Sequence, residues 1–248
     1  MLVPEPDRAG IVAHVEELLL SLSQKVSELA AMLRKVESQN SPSAFACSFG
    51  AEDMVLLDVI SKEARSIEVF SLDTGRLPEE THALLDTVRE KYPIPIRLYF
   101  PESKAVETWI EQNGANGFYR SVAQRLQCCE IRKVRPLQRA LSGKKSWVTG
   151  LRREQSANRQ NLETEGWDGA NGLLKFNPLL EWTSEDVWSY IKANGVPYNA
   201  LHDRGYPSIG CAPCTRAVKP DENSRAGRWW WESSEKECGL HLHQKTAT

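Results

Sequence analysis

Four cysteines form two pairs that lie far apart in the chain. Cys128 and Cys129 are adjacent in QCCEIRKVRPL, and Cys211 and Cys214 form a CxxC motif in SIGCAPCTR. Four thiolates from two such pairs are the ligand set of an iron–sulfur cluster or of a tetrahedral zinc ion. Neighbouring residues on a helix diverge by about 100°, which suits a large four-iron cluster better than one small ion. Both metals remain open, and the spacing favours the cluster.

A fifth cysteine, Cys238, stands apart in KECGLHLH near the end of the chain. A thiol outside the ligand set is free to act as a nucleophile, and its thiolate is the attacking species. His241 or nearby arginines would lower the pKa of that thiol. The alternatives are an exposed cysteine without a role and a metal site that also uses His243. The remaining cysteine, Cys47, falls in an apolar strand pattern and is expected in the core.

Positive side chains are concentrated around these cysteines and in the second half of the chain. Lys133 follows Cys129 by four residues, so on a helix the two share a face, where a lysine offsets thiolate charge and reaches an anion. Arginine forks suit phosphate and sulfate oxygens. The arginines concerned are Arg152, Arg153 and Arg159 after SWVTGL, and Arg225 and Arg228 in SRAGRWWW. A solvated charged face is the alternative for Arg152 and Arg153, whereas three consecutive tryptophans, Trp229 to Trp231, are costly unless buried.

Two loops that follow predicted strands could bind an anionic ligand. The loop from Ser48 to Asp53 joins a strand to a helix, a turn that aims backbone N–H groups at an anion. It resembles the S-G-G-x-D-S phosphate loop of ATP pyrophosphatases, but its second position is Phe49 and the last Ser is replaced. The carboxylate of Glu52 at the start of the helix suits a ligand with less phosphate charge. Asp73 and Thr74 end the next strand, where parallel sheets bind ligands. Ordinary turns are the alternative in both places.

Strand and helix patterns alternate along the chain and predict an α/β fold with a parallel sheet covered on both faces. The predicted strands span 43–49, 66–73, 96–100 and 146–151, and the predicted helices span 11–37, 52–64, 78–91, 104–112, 128–141 and 184–193, the last capped by Thr183 or Ser184. After Arg159 the pattern weakens. We divide the chain into an N-terminal helical segment (1–40), a nucleotide-binding α/β domain (41–220) and a mobile, catalytic C-terminal tail (221–248). The N-terminal helix packs on the domain or contacts another subunit.

Composition excludes several classes of function. The chain has 248 residues, 41% hydrophobic content and a formal net charge of −2, so it has no bulk attraction to nucleic acid or to an anionic membrane. It shows neither a signal peptide nor an apolar run of ~20 residues. We therefore expect a cytoplasmic protein, where cysteines more often bind metals or perform chemistry than form disulfides.

Taken together, these motifs resemble the assimilatory adenylyl-sulfate reductases, the iron–sulfur branch of the phosphoadenylyl-sulfate reductase family. The matching stretches are SFGAEDMVLLD, LDTGRLPEET, CCEIRKVRPLQRAL, VTGLRREQS, NPLLEWTSEDVW, GYPSIGCAPCTR, RAGRWWWE and ECGLH, across roughly residues 45–241. The resemblance implies an adenine-nucleotide alpha-hydrolase-like (ATP pyrophosphatase-like) domain. It also implies reduction of adenosine 5′-phosphosulfate to sulfite and AMP, in the assimilation of sulfate into cysteine, with thioredoxin or glutaredoxin as reductant. We expect a homo-oligomer.

The resemblance also assigns roles to individual residues. Cys238 is the nucleophile that carries an S-sulfocysteine intermediate, with His241 and Lys133 as its catalytic partners. The cysteines that hold a [4Fe–4S] cluster are Cys128, Cys129, Cys211 and Cys214. The residues expected to bind substrate are Ser48, Asp53, Asp73, Thr74, Arg159, Arg225, Arg228 and Trp229.

Two alternatives to this function remain. One is a reductase that uses the 3′-phosphorylated nucleotide, alone or as a second substrate; the cluster-free branch with that preference lacks both cysteine pairs. The other is a zinc-stapled module that binds nucleotide or nucleic acid. Colour separates the zinc-stapled module from the iron–sulfur reductase, because an iron–sulfur protein is brown and absorbs near ~400 nm, whereas zinc is colourless.

Overall fold

In the computed structural model a mostly parallel sheet forms the centre of the molecule. The structure describes residues 8–156 and 159–232, with side chains from residue 20 onward. Within these residues the strands are β1 (Ser43–Ala46), β2 (Glu68–Leu72), β3 (Ile96–Tyr99), β4 (Ser146–Val148), β5 (Glu165–Asp168) and β6 (Leu173–Phe176). They form one sheet in the order β3-β2-β1-β4-β6-β5, in which β5 is antiparallel to β6 and the other pairs are parallel. The predicted parallel sheet is confirmed, and its β5–β6 hairpin was not anticipated.

The helices that cover the sheet fall close to the predicted spans. They are α1 (Arg8–Gln39), α2 (Ala51–Glu63), α3 (Glu79–Lys91), α4 (Ser103–Asn113), α5 (Val122–Cys129), α6 (Arg135–Leu141) and α7 (Ser184–Ala193). Thr183 caps α7 by accepting a hydrogen bond from the backbone N–H of Asp186, as the sequence predicted. None of the described helices is both long and apolar enough to cross a membrane.

The helix predicted from Cys128 to Leu141 begins earlier and is interrupted. It starts with α5, which Ser121 caps by accepting from the backbone N–H of Gln124. A π-helical turn, Glu130–Val134, then joins α5 to α6. Cys128 and Cys129 therefore end a helix instead of opening one, and a π-helical turn follows them, a feature that often marks functional sites.

Apolar side chains fill both faces of the sheet. On one face the helices α1, α2 and α7 bury residues such as Leu33, Val55 and Ile191 against Phe45 of β1. On the other face Leu137, Ala140 and Leu141 of α6 pack against Phe70 and Trp147. The last turns of α1 therefore belong to the core of the α/β domain.

The strand order creates a crevice at one edge of the sheet. β1 lies between β2 and β4, so the chain leaves β1 toward β2 on one side and reaches β4 later on the other. In doubly wound sheets such a reversal is where ligands bind, beyond the carboxyl ends of the strands. The loops that follow β1, β2 and β4 all lie at this edge of the sheet.

Candidate active site

A cavity of about 220 Å³ opens where the loops after β1, β2 and β4 meet. Phe70, Leu137 and Trp147 contribute an apolar wall, and several cations lie around the rest of the lining. The predicted site residues that line it are Ser48, Asp53, Thr74, Lys133, Arg159, Arg225 and Arg228. An apolar wall combined with a few convergent polar groups is the usual construction of a small-molecule site.

The loop between β1 and α2 is fixed by Asp53. Its Oδ2 accepts hydrogen bonds from the backbone N–H and the hydroxyl of Ser48, both at 2.6 Å. Burial raises the pKa of Asp53 to about 7; the Ser48 hydrogen bonds oppose this shift and the neighbouring Glu52 adds to it. Gly150 packs against the carboxyl so closely that a Cβ there would lie 2.2 Å from Oδ1. The carboxyl thus shapes the loop as well as lining the cavity.

Phe49 adopts a backbone conformation that is rare for a large side chain. Its φ is 61°, in the left-handed region, and its ring is only 2% exposed. Strain of this kind persists where the surroundings impose it, commonly at ligand-binding loops. Phe49, which replaces the first glycine of the pyrophosphatase pattern, therefore packs its side chain in the core while its backbone keeps a conformation that glycine favours.

Glu52 does not present bare negative charge to the cavity. Its Oε1 accepts a hydrogen bond from Nε of Arg152 at 2.8 Å, and Arg152 is itself 7% exposed and also pairs with Glu154. A solvated face is therefore the wrong interpretation for Arg152. It does describe Arg153, which pairs with Glu181 at the surface.

Asp73 and Thr74, at the end of β2, have different surroundings. Asp73 accepts from the backbone N–H of Gly75 and lies 2.9 Å from Nε2 of His82, so it supports the turn; it is not among the described residues that line the cavity. Thr74 lines the cavity, and its Oγ1 lies 3.2 Å from Sγ of Cys211. The end of β2 is thereby joined to the CxxC segment.

The structure brings the two cysteine pairs to the same region. Burial raises the pKa of Cys214 to about 12; Cys211 and Cys128 add to that shift, while Lys133 and Arg228 oppose it. The pKa of Cys128 is also raised, by burial and by Cys211, against the effect of Arg132. Cys129 is buried at the end of α5. Thiols that disfavour one another's ionisation need a bound cation to exist together as thiolates.

This donor set fits a thiolate-bound metal centre. Within residues 8–156 and 159–232, no three histidine, cysteine or carboxylate side chains already converge at the spacing of a single-ion site. The described cysteines are all free thiols, and soft thiolate ligands select zinc or iron–sulfur clusters. The surrounding cations, Lys133, Arg132 and Arg228, suit a centre that carries net negative charge.

A buried ion pair holds the segment that carries Arg228. Nε and Nη2 of Arg125 on α5 donate to the two carboxylate oxygens of Glu232 at 3.0 and 2.9 Å, and the paired side chains are 3% and 4% exposed. The ring of Trp229 lies against two guanidinium groups. Its centroid is 4.7 Å from the guanidinium carbon of Arg125 and 4.8 Å from that of Arg228. Trp229 is 1% exposed and is not among the described cavity-lining residues, so its contact is with the arginines.

Arg228 is oriented from several sides. Its Nη1 donates to the carbonyl of Ile209 at 2.7 Å. A Cβ at Gly210 would lie 2.3 Å from Nη2, so only glycine leaves room for the guanidinium. The backbone N–H of Trp229 donates to the carbonyl of Cys214, which ties this arginine to the CxxC segment.

Several residues that line the cavity had no predicted role, and two predicted site residues lie outside the described residues. Cys238 and His241 are the latter. Polar residues that line the cavity without a predicted role include Thr149, Gln155, His202 and Ser208. Thr149 follows β4 as Thr74 follows β2, so the strand-end rule would have found it. His202 had no such signal. Its Nε2 is buried without a hydrogen-bond partner among the described groups, and burial lowers its pKa.

Comparison with known proteins identifies the family. Residues 42–217 match the family model described as phosphoadenosine phosphosulfate reductase domain. The chain is 52% identical to an adenosine 5′-phosphosulfate reductase of Burkholderia cepacia, over 93% of this chain and 92% of that one. It is 53% identical to another from Allochromatium vinosum, over 81% and 78% of the two chains. The chain belongs to the phosphoadenosine phosphosulfate reductase family, as its motifs predicted.

A solved structure supports the fold assignment. The crystal structure of phosphoadenylyl-sulfate reductase from Candida auris, in a phosphate complex, superposes with a TM-score of 0.65 at 27% identity. The match covers 88% of this chain and all of the other. The predicted nucleotide-binding α/β fold is thereby confirmed.

Asp53→Asn should change how nucleotide binding depends on pH. Because the pKa of Asp53 is about 7, the carboxyl is neutral below that pH and charged above it, where it repels an anionic ligand. The affinity of the variant for AMP, divided by that of the wild type, should rise about tenfold from about pH 6 to about pH 8.5. Calorimetric titration measures both affinities, and ionisation of AMP cancels in the ratio. A ratio that does not change with pH would contradict this role.

Glu232→Gln should strongly destabilise the fold. The buried Arg125 loses its carboxylate partner, a change that costs about 3–5 kcal/mol in comparable pairs. The matched control is Glu222→Gln, which breaks an ion pair with Arg216 that is also bidentate but solvent-accessible. Urea unfolding should show a much smaller loss for the control. Equal losses in the two variants would mean that burial of the Arg125 pair has no special role.

Proposed function

We propose that this protein reduces adenosine 5′-phosphosulfate to sulfite and AMP, as a step in sulfate assimilation. The observation that carries the proposal is the cavity at the edge of the sheet where the strand order reverses. One side of this cavity is apolar, and its cationic lining residues are Lys133, Arg159, Arg225 and Arg228. Similarity to adenosine 5′-phosphosulfate reductases at 52% and 53% identity supports the same activity.

The lining suits both halves of this substrate. The apolar wall of Phe70, Leu137 and Trp147 offers a surface for the nucleoside. Cations in preorganised positions would bind the phosphosulfate and stabilise the charge on the departing phosphate. Arg228 meets this condition best, since its guanidinium is held by Ile209, Gly210 and Trp229.

In the proposed reaction the thiolate of Cys238 attacks the sulfur atom of the substrate. A sulfur–sulfur bond forms, the bond from sulfur to the bridging phosphate oxygen breaks, and AMP leaves with that electron pair. A thiolate of a reduced dithiol protein, thioredoxin or glutaredoxin, then attacks Sγ of Cys238 and releases sulfite. The second thiol of the same protein resolves the mixed disulfide, so the dithiol supplies both electrons. His241 and Lys133 would offset the negative charge that gathers during the first step.

We assign Cys128, Cys129, Cys211 and Cys214 to a [4Fe–4S] cluster. When bound, the cluster would offset the charge of its thiolates and tie α5 to the CxxC segment. Lys133 lies between the cavity, which it lines, and Cys214, whose pKa it lowers. That position supports its role between the cysteines and the substrate.

The proposal also covers the cellular location and the oligomeric state of the enzyme. The described cysteines are free thiols, which suits the reducing cytoplasm. A homo-oligomer, in which α1 contacts another subunit, is also part of the proposal; Leu20 on that helix is 73% exposed. Sedimentation analysis tests this element separately from the chemistry.

Sulfite release with each nucleotide tests the function. Adenosine 5′-phosphosulfate with reduced thioredoxin should yield sulfite and AMP in equal amounts, and the 3′-phosphorylated nucleotide should be used much less efficiently. Cys238→Ser should bind AMP as the wild type does and release no sulfite, because the attacking thiolate is gone. A clear preference for the 3′-phosphorylated nucleotide would overturn the substrate assignment, and an active Cys238→Ser variant would overturn the nucleophile.

Substitution of single cysteines tests the cluster. Cys128→Ala and Cys211→Ala should each give protein without an intact cluster, with lower stability and no activity. Cys47→Ala is the control for iron content and should keep the full amount, since Cys47 is a buried free thiol that lies outside both pairs. Iron analysis and absorbance near ~400 nm provide the measurement. Full iron content in Cys128→Ala or Cys211→Ala, or stoichiometric zinc in the wild type, would refute the assignment.

A further inference from the structure

An aromatic cluster with two exposed members and one half-buried member, Trp231, lies beside the cysteine segments. It consists of Tyr119, Trp230 and Trp231, and we call these three residues the aromatic surface. The ring centroids of Tyr119 and Trp231 are 4.4 Å apart, those of the two tryptophans are 5.6 Å apart, and Tyr119 and Trp230 are separated by 6.4 Å. Trp230 is 47% exposed and Tyr119 is 38% exposed. Contiguous exposed aromatic groups of this kind mark interaction sites.

The aromatic surface is held in a fixed position. The hydroxyl of Tyr119 donates to the carbonyl of Pro213, within the CxxC segment, at 2.6 Å. Trp230 and Trp231 lie between Trp229, which is fully buried, and Glu232, which forms the buried ion pair with Arg125. Binding to a surface whose backbone is already fixed costs little ordering entropy, so its exposed rings can contribute most of their contact energy.

The position of the surface along the chain indicates what binds there. Cys238 follows Glu232 by six residues, so even a fully extended chain places it within about 20–22 Å of Glu232, at ~3.3–3.6 Å per residue. Any protein whose thiolate attacks Cys238 must therefore bring that thiolate within about 20–22 Å of Glu232, the residue next to Trp231. A permanent second copy of this chain on the same surface would obstruct that attack.

We propose that the aromatic surface is the docking site of the thioredoxin-class dithiol protein that discharges Cys238. This inference rests on the proposed function, because it assigns the partner of its second step. Trp and Tyr are the side chains most enriched among the dominant residues of transient interfaces. Docking on Tyr119, Trp230 and Trp231 would hold the dithiol near Cys238 while one of its thiolates attacks Sγ.

The test separates docking from chemistry. Enzyme that carries the sulfonate on Cys238 is mixed with reduced thioredoxin or with dithiothreitol, and sulfite release is followed in a single turnover. In Trp230→Ala and Tyr119→Ala, the thioredoxin concentration that gives half the maximal rate should rise about fivefold or more. Discharge by dithiothreitol should be unchanged, because a small dithiol needs no docking surface. Trp167→Ala, which removes a 66% exposed tryptophan on β5, is the matched control and should behave as the wild type.

Each other outcome overturns the inference. An unchanged thioredoxin dependence in both variants would show that the surface is not used. Equal slowing with dithiothreitol, or slower formation of the adduct, would show that these rings support the reaction itself. Loss of an oligomer in Trp230→Ala would assign the surface to a second copy of the chain. If the wild type forms no adduct at all, the proposed function fails and the docking partner fails with it.

Discussion

The buried ion pair between Arg125 and Glu232 is the contact on which the arrangement of the site depends. It joins two segments that are 107 residues apart. One is α5, which ends at Cys128 and Cys129, and the other carries Arg228. Burying two charges is expensive, and it is tolerated here because both oxygens are bonded and Trp229 lies against the guanidinium. Together with the contact between Trp229 and the Arg125 guanidinium, it joins α5 to the segment from which Arg228 faces the cavity.

Around the cavity, negative charge is reduced and positive charge is retained. The negative charge of the carboxylates near the ligand is reduced, since Glu52 is paired with Arg152 and burial raises the pKa of Asp53 to about 7. The cations Lys133, Arg225 and Arg228 line the cavity, and Lys133 and Arg228 also lie close enough to Cys214 to lower its pKa. A site with this balance accepts a dianionic ligand and thiolates together, which is the charge pattern that the proposed reaction requires.

The sequence predicted the elements that repeat a simple pattern and missed those that depend on distant contacts. Alternating apolar strands and amphipathic helices indicated the parallel sheet, and the predicted strand ends at Ser48 and Thr74 indicated two sides of the cavity. The start of α5 was missed because its cap, Ser121, precedes a short, polar helix whose burial depends on Glu232. The β5–β6 hairpin was missed because β5 is a short edge strand with an exposed Trp167. Side chains such as Arg152 and His202 acquire their surroundings only from the tertiary fold, so no local pattern could assign them.

The most direct test of the account is the covalent state of Cys238. The enzyme is mixed with adenosine 5′-phosphosulfate in the absence of any reductant, and the protein is then analysed by intact mass and by peptide mapping. The account predicts a gain of about 80 Da, the mass of SO₃, on the peptide that contains Cys238, with one AMP released per site. Stoichiometric AMP together with an unmodified Cys238 peptide would contradict it.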